Sequence, residues 1–131
     1  MANLDDAPIR QLLEDPNFAV VSTLGDNGEI DSSVVWVDAE DGAVAINSAV
    51  GRKWPTNLGR DGRVNLLVIK ADDPYEYVEV RGTAEGATEG ADEHIDRLSR
   101  KYINQDYPFR QPGEQRTKFI VRPDVVRYQK Q

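Results

Sequence analysis

The sequence predicts a mainly β protein, a six-stranded antiparallel β-barrel with flanking helices. Short β-rich segments recur along the chain, turn residues separate them, and two amphipathic helical patterns flank them. A closed or nearly closed barrel is favoured because closure removes exposed strand edges. The chain has 131 residues, enough for one domain with its own core, so we expect a single domain over residues 1–131.

Two helices are predicted from apolar residues at helical spacing. The first covers residues 5–15, ends before Pro16, and is expected to pack across one end of the barrel. The second covers residues 89–103. Their apolar faces consist of Ile9, Leu12 and Leu13 in the first helix and of Ala91, Ile95, Leu98 and Tyr102 in the second.

Six strands are predicted between the turn signals. The first two form a hairpin around a dense turn at residues 25–28, and the third continues an antiparallel meander after a turn at residues 40–42. Pro123 is expected to limit the last strand, because proline cannot donate to a ladder. The six strands cover residues 18–24, 32–37, 43–48, 64–69, 75–83 and 117–122.

Two of these strands are uninterruptedly apolar, at Val34–Val37 and Leu66–Ile69. A strand with one solvated face alternates apolar and polar residues, so both faces of these strands are expected to be buried. The barrel core covers one face, and a helix or a second subunit covers the other. A homodimer is the simplest interpretation.

The composition excludes several kinds of active site. No cysteine is present, which excludes disulfides, thiolate zinc sites, iron–sulfur clusters and thiol nucleophiles. His94 is the only histidine, so one chain cannot form a serine hydrolase triad or a multi-histidine metal site. Because acidic residues flank His94, we interpret it as a solvated side chain. The adjacent Asp72 and Asp73 are interpreted as a solvated turn.

The formal net charge of −7 and the sequence pI near 4.7 argue against nucleic acid as a partner. The N-terminus has neither a basic leader nor an apolar signal core, and no apolar run approaches the roughly 20 residues that cross a bilayer. We therefore expect a cytoplasmic protein that is not associated with a membrane. Its expected ligand is a small molecule.

The segment after the third strand predicts an anion site. Gly51 permits a sharp turn, Arg52 and Lys53 stand at the start of a short helix, and Pro55 suits its first turn. Free N–H groups at a helix start attract anions, and a guanidinium grips a phosphate through a planar fork. The alternative is a solvated basic turn that binds no ligand. Because the surrounding chain is acidic, a cluster of basic residues is less expected there by chance.

Motifs along residues 18–126 resemble those of the split β-barrel flavin and deazaflavin oxidoreductases, the superfamily that includes pyridoxamine 5′-phosphate oxidase. Within it, they are most similar to the branch that uses coenzyme F-420. The motifs are the strand Asp31–Val37, the Gly51-Arg52 turn, the segment Asn57–Val64, the segment Pro74–Ala84, and Leu98–Tyr102 followed by Asp106-Tyr107-Pro108.

This resemblance implies an FMN-binding split barrel, a homodimer and a cofactor site at each side of the subunit interface. It implies that the second and third strands hold the cofactor ring and that the turn with its short helix holds the phosphate. By resemblance, Ser32, Ser33, Val34 and Val35 lie along the ring, Asn47 and Ser48 beside the ribityl chain, Arg52, Lys53 and Asn57 near the phosphate, and Tyr75 near the ring or tail.

The chain departs from the resembled family in the phosphate turn. Trp54 stands where related deazaflavin enzymes have a lysine, and Thr56 stands where they have a second arginine. Lys53 lies one residue before the position of that lysine. On a helix, its side chain therefore points roughly 100 degrees away from the direction of the family's lysine. Trp54 is therefore predicted either to stack on the cofactor or to seal the dimer. The alternative is that the change marks a protein that has lost tight cofactor binding.

The resemblance implies an oxidoreductase that transfers a hydride between coenzyme F-420 and an unsaturated small molecule. Two alternatives stay open: an FMN-dependent oxidase or reductase of the same fold, and a non-catalytic protein that binds a flavin-like or haem-like ligand. Tyr102, Tyr107 and Phe109 either form a lid over a substrate pocket or cover the open barrel end. Glu79 and Arg81 project from one strand face and are interpreted as a surface salt bridge.

Overall fold

The computed structural model describes residues 2–131, which form three helices and seven strands. The helices are α1 (Ala7–Glu14), α2 (Lys53–Arg60) and α3 (Ala91–Ile103). The strands are β1 (Ala19–Leu24), β2 (Ile30–Val35), β3 (Asp38–Glu40), β4 (Ala43–Ala49), β5 (Arg63–Lys70), β6 (Asp73–Ala87) and β7 (Arg116–Gln129).

All strands belong to one antiparallel sheet with the order β2-β1-β5-β6-β7-β4-β3. Inward residues of the strands meet in one core cluster, so the sheet curls around its own centre. The edge strands β2 and β3 are consecutive in the chain and do not pair with each other. The mainly β, antiparallel fold is therefore confirmed, with β3 as a short seventh strand in addition to the predicted six.

The expectation of a simple meander is wrong at β4. The predicted hairpin of β1 and β2 forms, with Gly28 at φ 83° in its turn. However, β4 pairs with β3 and β7 and not with β2. The turn signal at Asp41 and Gly42 is correct, since both residues have positive φ, but it joins β4 to the short β3. A three-residue strand lies below what sequence periodicity resolves.

Helix α1 buries Ile9, Leu12 and Leu13 against the barrel core, as its apolar spacing predicts. Among residues 2–131, no helix combines the length and the apolar character needed to cross a bilayer.

Within residues 2–131 of one chain, no helix covers the outer faces of the two apolar strands, so their predicted burial on both faces depends on a second subunit. In one chain, β5 alternates buried Leu66 and Val68 with partly exposed neighbours, and Val34 of β2 is 69% exposed. The strand buried on both faces is β4, because α3 covers its outer side through contacts such as that between Asn47 and His94. The second faces of β2 and β5 are thus open to solvent within a single chain.

The last strand does not end at Pro123, contrary to the expectation. β7 continues to Gln129, and its pairing with β6 shifts register between Arg81 and Gly82. Pro123 pairs with Gly82 at this bulge, where an interrupted ladder tolerates a residue without an N–H. The long strands β6 and β7 therefore stay paired on both sides of the bulge.

Candidate functional site

A cavity of about 240 Å³ lies where β2, β4, α2 and α3 approach one another. Its walls are largely aromatic and apolar, and its polar groups come from the end of β4, the start of α2 and the start of β7. The lining residues are Phe18, Val34, Val35, Trp36, Asn47, Ser48, Arg52, Trp54, Ile95, Leu98, Tyr107, Phe109 and Arg116. Such a lining suits a flat, partly apolar ligand that carries negative charge.

The turn that leads into α2 has the geometry that its sequence predicts. Gly51 has φ 98°, a backbone conformation that favours glycine, and the Arg52 N–H closes the turn on the Ala49 carbonyl at 3.2 Å. Arg52 is the N-cap of α2 and borders the cavity. The N–H groups of Lys53 and Trp54 have no acceptor within the helix, because they belong to its first turn.

A second arginine, Arg116, faces the same cavity and is only 4% exposed. Its Nε donates to the Asn47 Oδ1 at 3.0 Å, and its Nη1 donates to the Glu114 Oε2 at 3.2 Å. The guanidinium carbon lies 4.8 Å from the centre of the Tyr107 ring. Nη2 has no acceptor among residues 2–131. Arg116 is not among the residues predicted from the sequence, because it belongs to no motif in the chain and reaches the cavity only through the pairing of β7 with β4.

His94 is buried, and the prediction of a solvated histidine is wrong. Its Nδ1 lies 3.0 Å from the Asn47 Nδ2, and its Nε2 lies 3.1 Å from the Asp38 Oδ1. Arg116 donates to the Asn47 oxygen, which fixes the amide so that its nitrogen faces Ala91 and His94. His94 Nδ1 must therefore accept, and Nε2 carries the proton that Asp38 accepts. The residues next to His94 in the sequence do not indicate its burial, because they lie on other faces of α3.

Asp38, Glu40 and His94 place one potential metal-ligand atom each within 4.8 Å of one another. A metal ion would need the lone pair of His94 Nε2, which carries the proton in this hydrogen-bond network. Arg97 and Lys118 already neutralise the two carboxylates, with contacts of 3.1 Å and 2.7 Å. Burial works to raise the pKa of Asp38, but the hydrogen bonds from His94 and Arg97 and the charge of Arg97 outweigh it and hold that pKa below its usual value. The cluster is therefore a structural ion-pair network.

The predicted site residues divide into two groups. Six border the cavity: Val34, Val35, Asn47, Ser48, Arg52 and Trp54. The other five do not: Ser32, Ser33, Lys53, Asn57 and Tyr75.

The five residues outside the cavity have other neighbours in one chain. The Ser32 hydroxyl pairs with that of Ser22 at 3.0 Å, and Ser33 is the partly buried neighbour of Val34 on β2. Lys53 pairs with Asp31 at 3.4 Å. The remaining two are Asn57, buried and donating to the Thr23 hydroxyl and the Asp31 carboxylate, and Tyr75, which is 63% exposed.

Trp54 occupies the position where a lysine was expected, and its indole is buried at 6% exposure. Its ring lies 5.6 Å from that of Phe119, so it forms part of the core as well as the cavity wall. Thr56 points elsewhere and donates its hydroxyl to the Arg52 carbonyl at 2.7 Å. Arg116 from β7 therefore places a second cation on the wall of the cavity, in addition to Arg52.

The three aromatic residues Tyr102, Tyr107 and Phe109 divide between the cavity and the barrel end. Tyr107 and Phe109 border the cavity with rings 5.6 Å apart, whereas Tyr102 stacks on Trp36 and bonds backbone groups near the barrel end. The Glu79–Arg81 salt bridge is present at 3.7 Å. Asp72 is exposed in its turn, as predicted, but the same prediction is wrong for Asp73, which is half-buried and begins β6.

Comparison with known protein families identifies the family of this chain. Residues 6–130 match the family described as pyridoxamine 5′-phosphate oxidase. The chain belongs to the pyridoxamine 5′-phosphate oxidase family. This membership confirms the resemblance that the motifs predicted and identifies a superfamily of flavin-binding oxidoreductases. Comparison with curated protein sequences finds no significant match.

Solved structures show the same fold at low identity. An F420 reductase shares 23% identity with a TM-score of 0.80, covering 90% of this chain and 94% of its own. A conserved hypothetical protein from Mycobacterium tuberculosis shares 20% identity with a TM-score of 0.75, covering 95% and 84% respectively. General Stress Protein 26 from Bacillus anthracis shares 18% identity with a TM-score of 0.71, covering 93% and 91%. This chain therefore shares its fold with these three structures over nearly its whole length.

Proposed function

We propose that this protein is an oxidoreductase that transfers a hydride between coenzyme F-420 and an unsaturated small molecule, such as an enone, a quinone or a tetrapyrrole-like compound. Family membership supports the reaction class, and the similarity to an F420 reductase supports the choice of coenzyme. The observation that carries the proposal is the cavity, in which valine and aromatic walls meet Arg52 and Arg116.

The residues of the cavity fit a planar ring that bears a phosphate. Val34 and Val35 offer an apolar strand surface, while Asn47 and Ser48 offer polar groups at the end of β4. Arg52 and Arg116 supply guanidinium donors for a phosphate. The volume of about 240 Å³ falls below the roughly 300–1,000 Å³ of ligand pockets. The proposal therefore includes a homodimer in which a second copy completes the site.

A bound deazaflavin supplies hydride chemistry, so the protein has to provide orientation and protection from water. Val34 and Val35 would set the plane of the ring, and Arg52 would anchor the phosphate. Tyr107 and Phe109 would shield the cavity from solvent, since their rings border it. The proton that balances hydride transfer would come from solvent or from the Tyr107 hydroxyl.

Two rival functions are separated by purification and titration. A yellow protein from a host that makes FMN but no deazaflavin would favour an FMN-dependent enzyme. A colourless protein that binds added F-420 would favour the proposal. Stoichiometric binding without turnover, tested with reduced F-420 and a panel of enones and quinones, would support a non-catalytic binding protein instead.

Arg52→Ala tests the phosphate anchor. We expect about tenfold weaker binding of F-420, because a charge-assisted hydrogen bond is lost. Arg10→Ala is the matched control, since its side chain is 53% exposed, close to the 51% of Arg52, and lies on α1. Fluorescence titration measures both affinities. A loss below about 0.5 kcal/mol for Arg52→Ala would contradict the assignment.

A further inference from the structure

One carboxylate, that of Glu114, bridges the two arginines of the cavity. Its Oε1 lies 3.3 Å from Arg52 Nη2, and its Oε2 lies 3.2 Å from Arg116 Nη1. The Glu114 side chain is only 6% exposed. An anion therefore already occupies the position between the two guanidinium groups, and it is an anion supplied by the chain itself.

We propose that Glu114 is an internal counter-ion that holds this position and that the phosphate of a ligand takes its place on Arg52 and Arg116. This inference depends on the proposed function in one respect, namely that the ligand carries a phosphate. It assigns to Arg116 a ligand-binding role and to Glu114 a role in setting phosphate affinity.

The contacts of Glu114 are of a kind that a ligand can replace. Both distances exceed the roughly 2.7–2.9 Å of strong charge-assisted hydrogen bonds. Half of the Arg52 side chain is exposed, so solvent and salt screen the Arg52 end of this ion pair. Glu114 also precedes β7 in a turn segment with Gly113 at φ 75°, outside the paired strands.

Arg116, in contrast, keeps its place without Glu114. Asn47 accepts from its Nε, and the Tyr107 ring covers the guanidinium. Nη2 remains available for a further acceptor, and the residue is 4% exposed. A buried guanidinium that loses its carboxylate partner is costly until another anion neutralises it. This cost favours exchange of a carboxylate for a phosphate over simple loss of the carboxylate.

Glu114→Gln tests the proposal, because it removes the competing charge and retains the side-chain shape. Titration with inorganic phosphate, followed by tryptophan fluorescence, is expected to show about fivefold tighter binding than wild type. Glu89→Gln is the control, since it changes the net charge equally at an exposed residue that does not border the cavity. Unchanged or weaker phosphate binding in Glu114→Gln, or an equal gain in Glu89→Gln, would overturn the proposal.

Paired ligands identify the source of the phosphate. FMN against riboflavin isolates a phosphate monoester, and F-420 against its phosphate-free deazaflavin tests a phosphodiester together with the tail that it carries. Glu114→Gln should raise the affinity of the phosphate-bearing member of a pair that binds and leave the other unchanged. Arg116→Lys should lower the affinity for inorganic phosphate about threefold, because one ammonium replaces the planar fork. Full phosphate affinity in a folded Arg116→Lys would also overturn the proposal.

These measurements separate the two proposals. Absence of F-420 binding would defeat the proposed coenzyme, while the phosphate titrations would still decide the role of Glu114. Conversely, F-420 binding that is insensitive to Glu114→Gln and Arg116→Lys would leave the coenzyme assignment standing and overturn the counter-ion.

Discussion

At the scale of single residues, the Tyr102 hydroxyl joins two parts of the barrel end. It donates to the Asn17 carbonyl at 2.5 Å and accepts from the Val37 N–H at 3.0 Å. Burial, together with the charge of Asp38, raises the pKa of Tyr102 to about 12, although the hydrogen bond from Val37 lowers it. The folded state therefore keeps the phenol protonated at pH values where the unfolded chain begins to lose that proton.

This difference in pKa predicts a loss of stability in alkali. Because the folded pKa is raised, the contribution of Tyr102 is fully present below about pH 10 and disappears as pH rises toward about 12. The whole effect is on the order of 2 kcal/mol. Tyr102→Phe should lower the free energy of unfolding by about 1–2 kcal/mol at neutral pH and remove this part of the alkaline slope. Urea unfolding at a series of pH values measures both.

Lys101 also contributes to the pH dependence of stability in alkali. The slope of the wild type therefore has to be compared with that of Tyr102→Phe. Burial lowers the pKa of Lys101 to about 8, so its contribution to stability rises between pH 8 and 10.5, opposite in sign to that of Tyr102. Wild type and Tyr102→Phe share this lysine, and their difference isolates the phenol. Equal slopes above pH 10 in the two proteins would contradict the prediction.

Residues of the site differ in how far sequence could predict them. Arg52 follows Gly51 at a helix start, a local pattern whose residue types alone indicate an anion site. Arg116 lies 64 positions further along and meets Asn47 only because β7 pairs with β4. His94 is similar, since its partner Asp38 lies on β3. Contacts that depend on non-local strand pairing leave no periodic signal in the sequence.

At the scale of elements, the bulge between β6 and β7 depends on a glycine. A Cβ on Gly82 would lie 2.0 Å from the Arg122 carbonyl oxygen and 3.1 Å from the Pro123 Cα. Both neighbours are backbone atoms, so a side chain at this position would force the two strands apart. The closeness of the strands allows the ladder to continue past Pro123.

Gly82→Ala should therefore destabilise the protein by about 3 kcal/mol, because the backbone has to move. Gly59→Ala is a useful comparison, since nothing lies within 4 Å of its added Cβ and Gly59 is part of α2. That substitution should stabilise by about 0.5–1 kcal/mol through helix propensity. Thermal or urea unfolding measures the pair; a Gly82→Ala protein as stable as wild type would show that the strands can separate freely.

Elements with local signals were predictable, and elements set by distant partners were not. Helix α1 and the hairpin of β1 and β2 follow from apolar spacing and turn residues alone. The continuation of β7 beyond Pro123 required knowledge of the facing glycine, and β3 required its pairing with β4. Proline indicates an interrupted ladder correctly, but an interruption can be a bulge as well as an end.

At the scale of the whole molecule, one face of the sheet is too apolar for a surface in water. Phe18, Ile30, Val34 and Tyr75 are exposed by 55%, 72%, 69% and 63%. The outward side chains of β1 and β5 include Val20, Leu67 and Ile69, each only partly covered within one chain. An apolar cleft of about 410 Å³ crosses the same region and is bordered by Phe18, Val20, Val34 and Ile69. A surface of this kind is typical of a protein–protein interface.

The cavity and this face share Phe18 and Val34, so a second copy seated on the face would also wall the cavity. We expect the protein to sediment as a dimer at micromolar concentration, and a monomer alone would remove the homodimer. Leu67→Lys should shift it toward monomer, because a charge would be buried in the interface. Ile120→Lys is the control, since Ile120 borders a separate pocket of charged residues.

Leu67 does not border the cavity. Its substitution therefore tests the effect of dimerisation on F-420 binding without changing a residue of the cavity. If the second copy completes the site, Leu67→Lys should lose F-420 affinity at concentrations where it is monomeric, although every cavity residue is intact. Its affinity should recover as protein concentration rises and the dimer re-forms, following mass action. Sedimentation and fluorescence titration on the same samples test this relation. A monomeric Leu67→Lys that binds F-420 as tightly as the wild-type dimer would show that one chain alone holds the coenzyme.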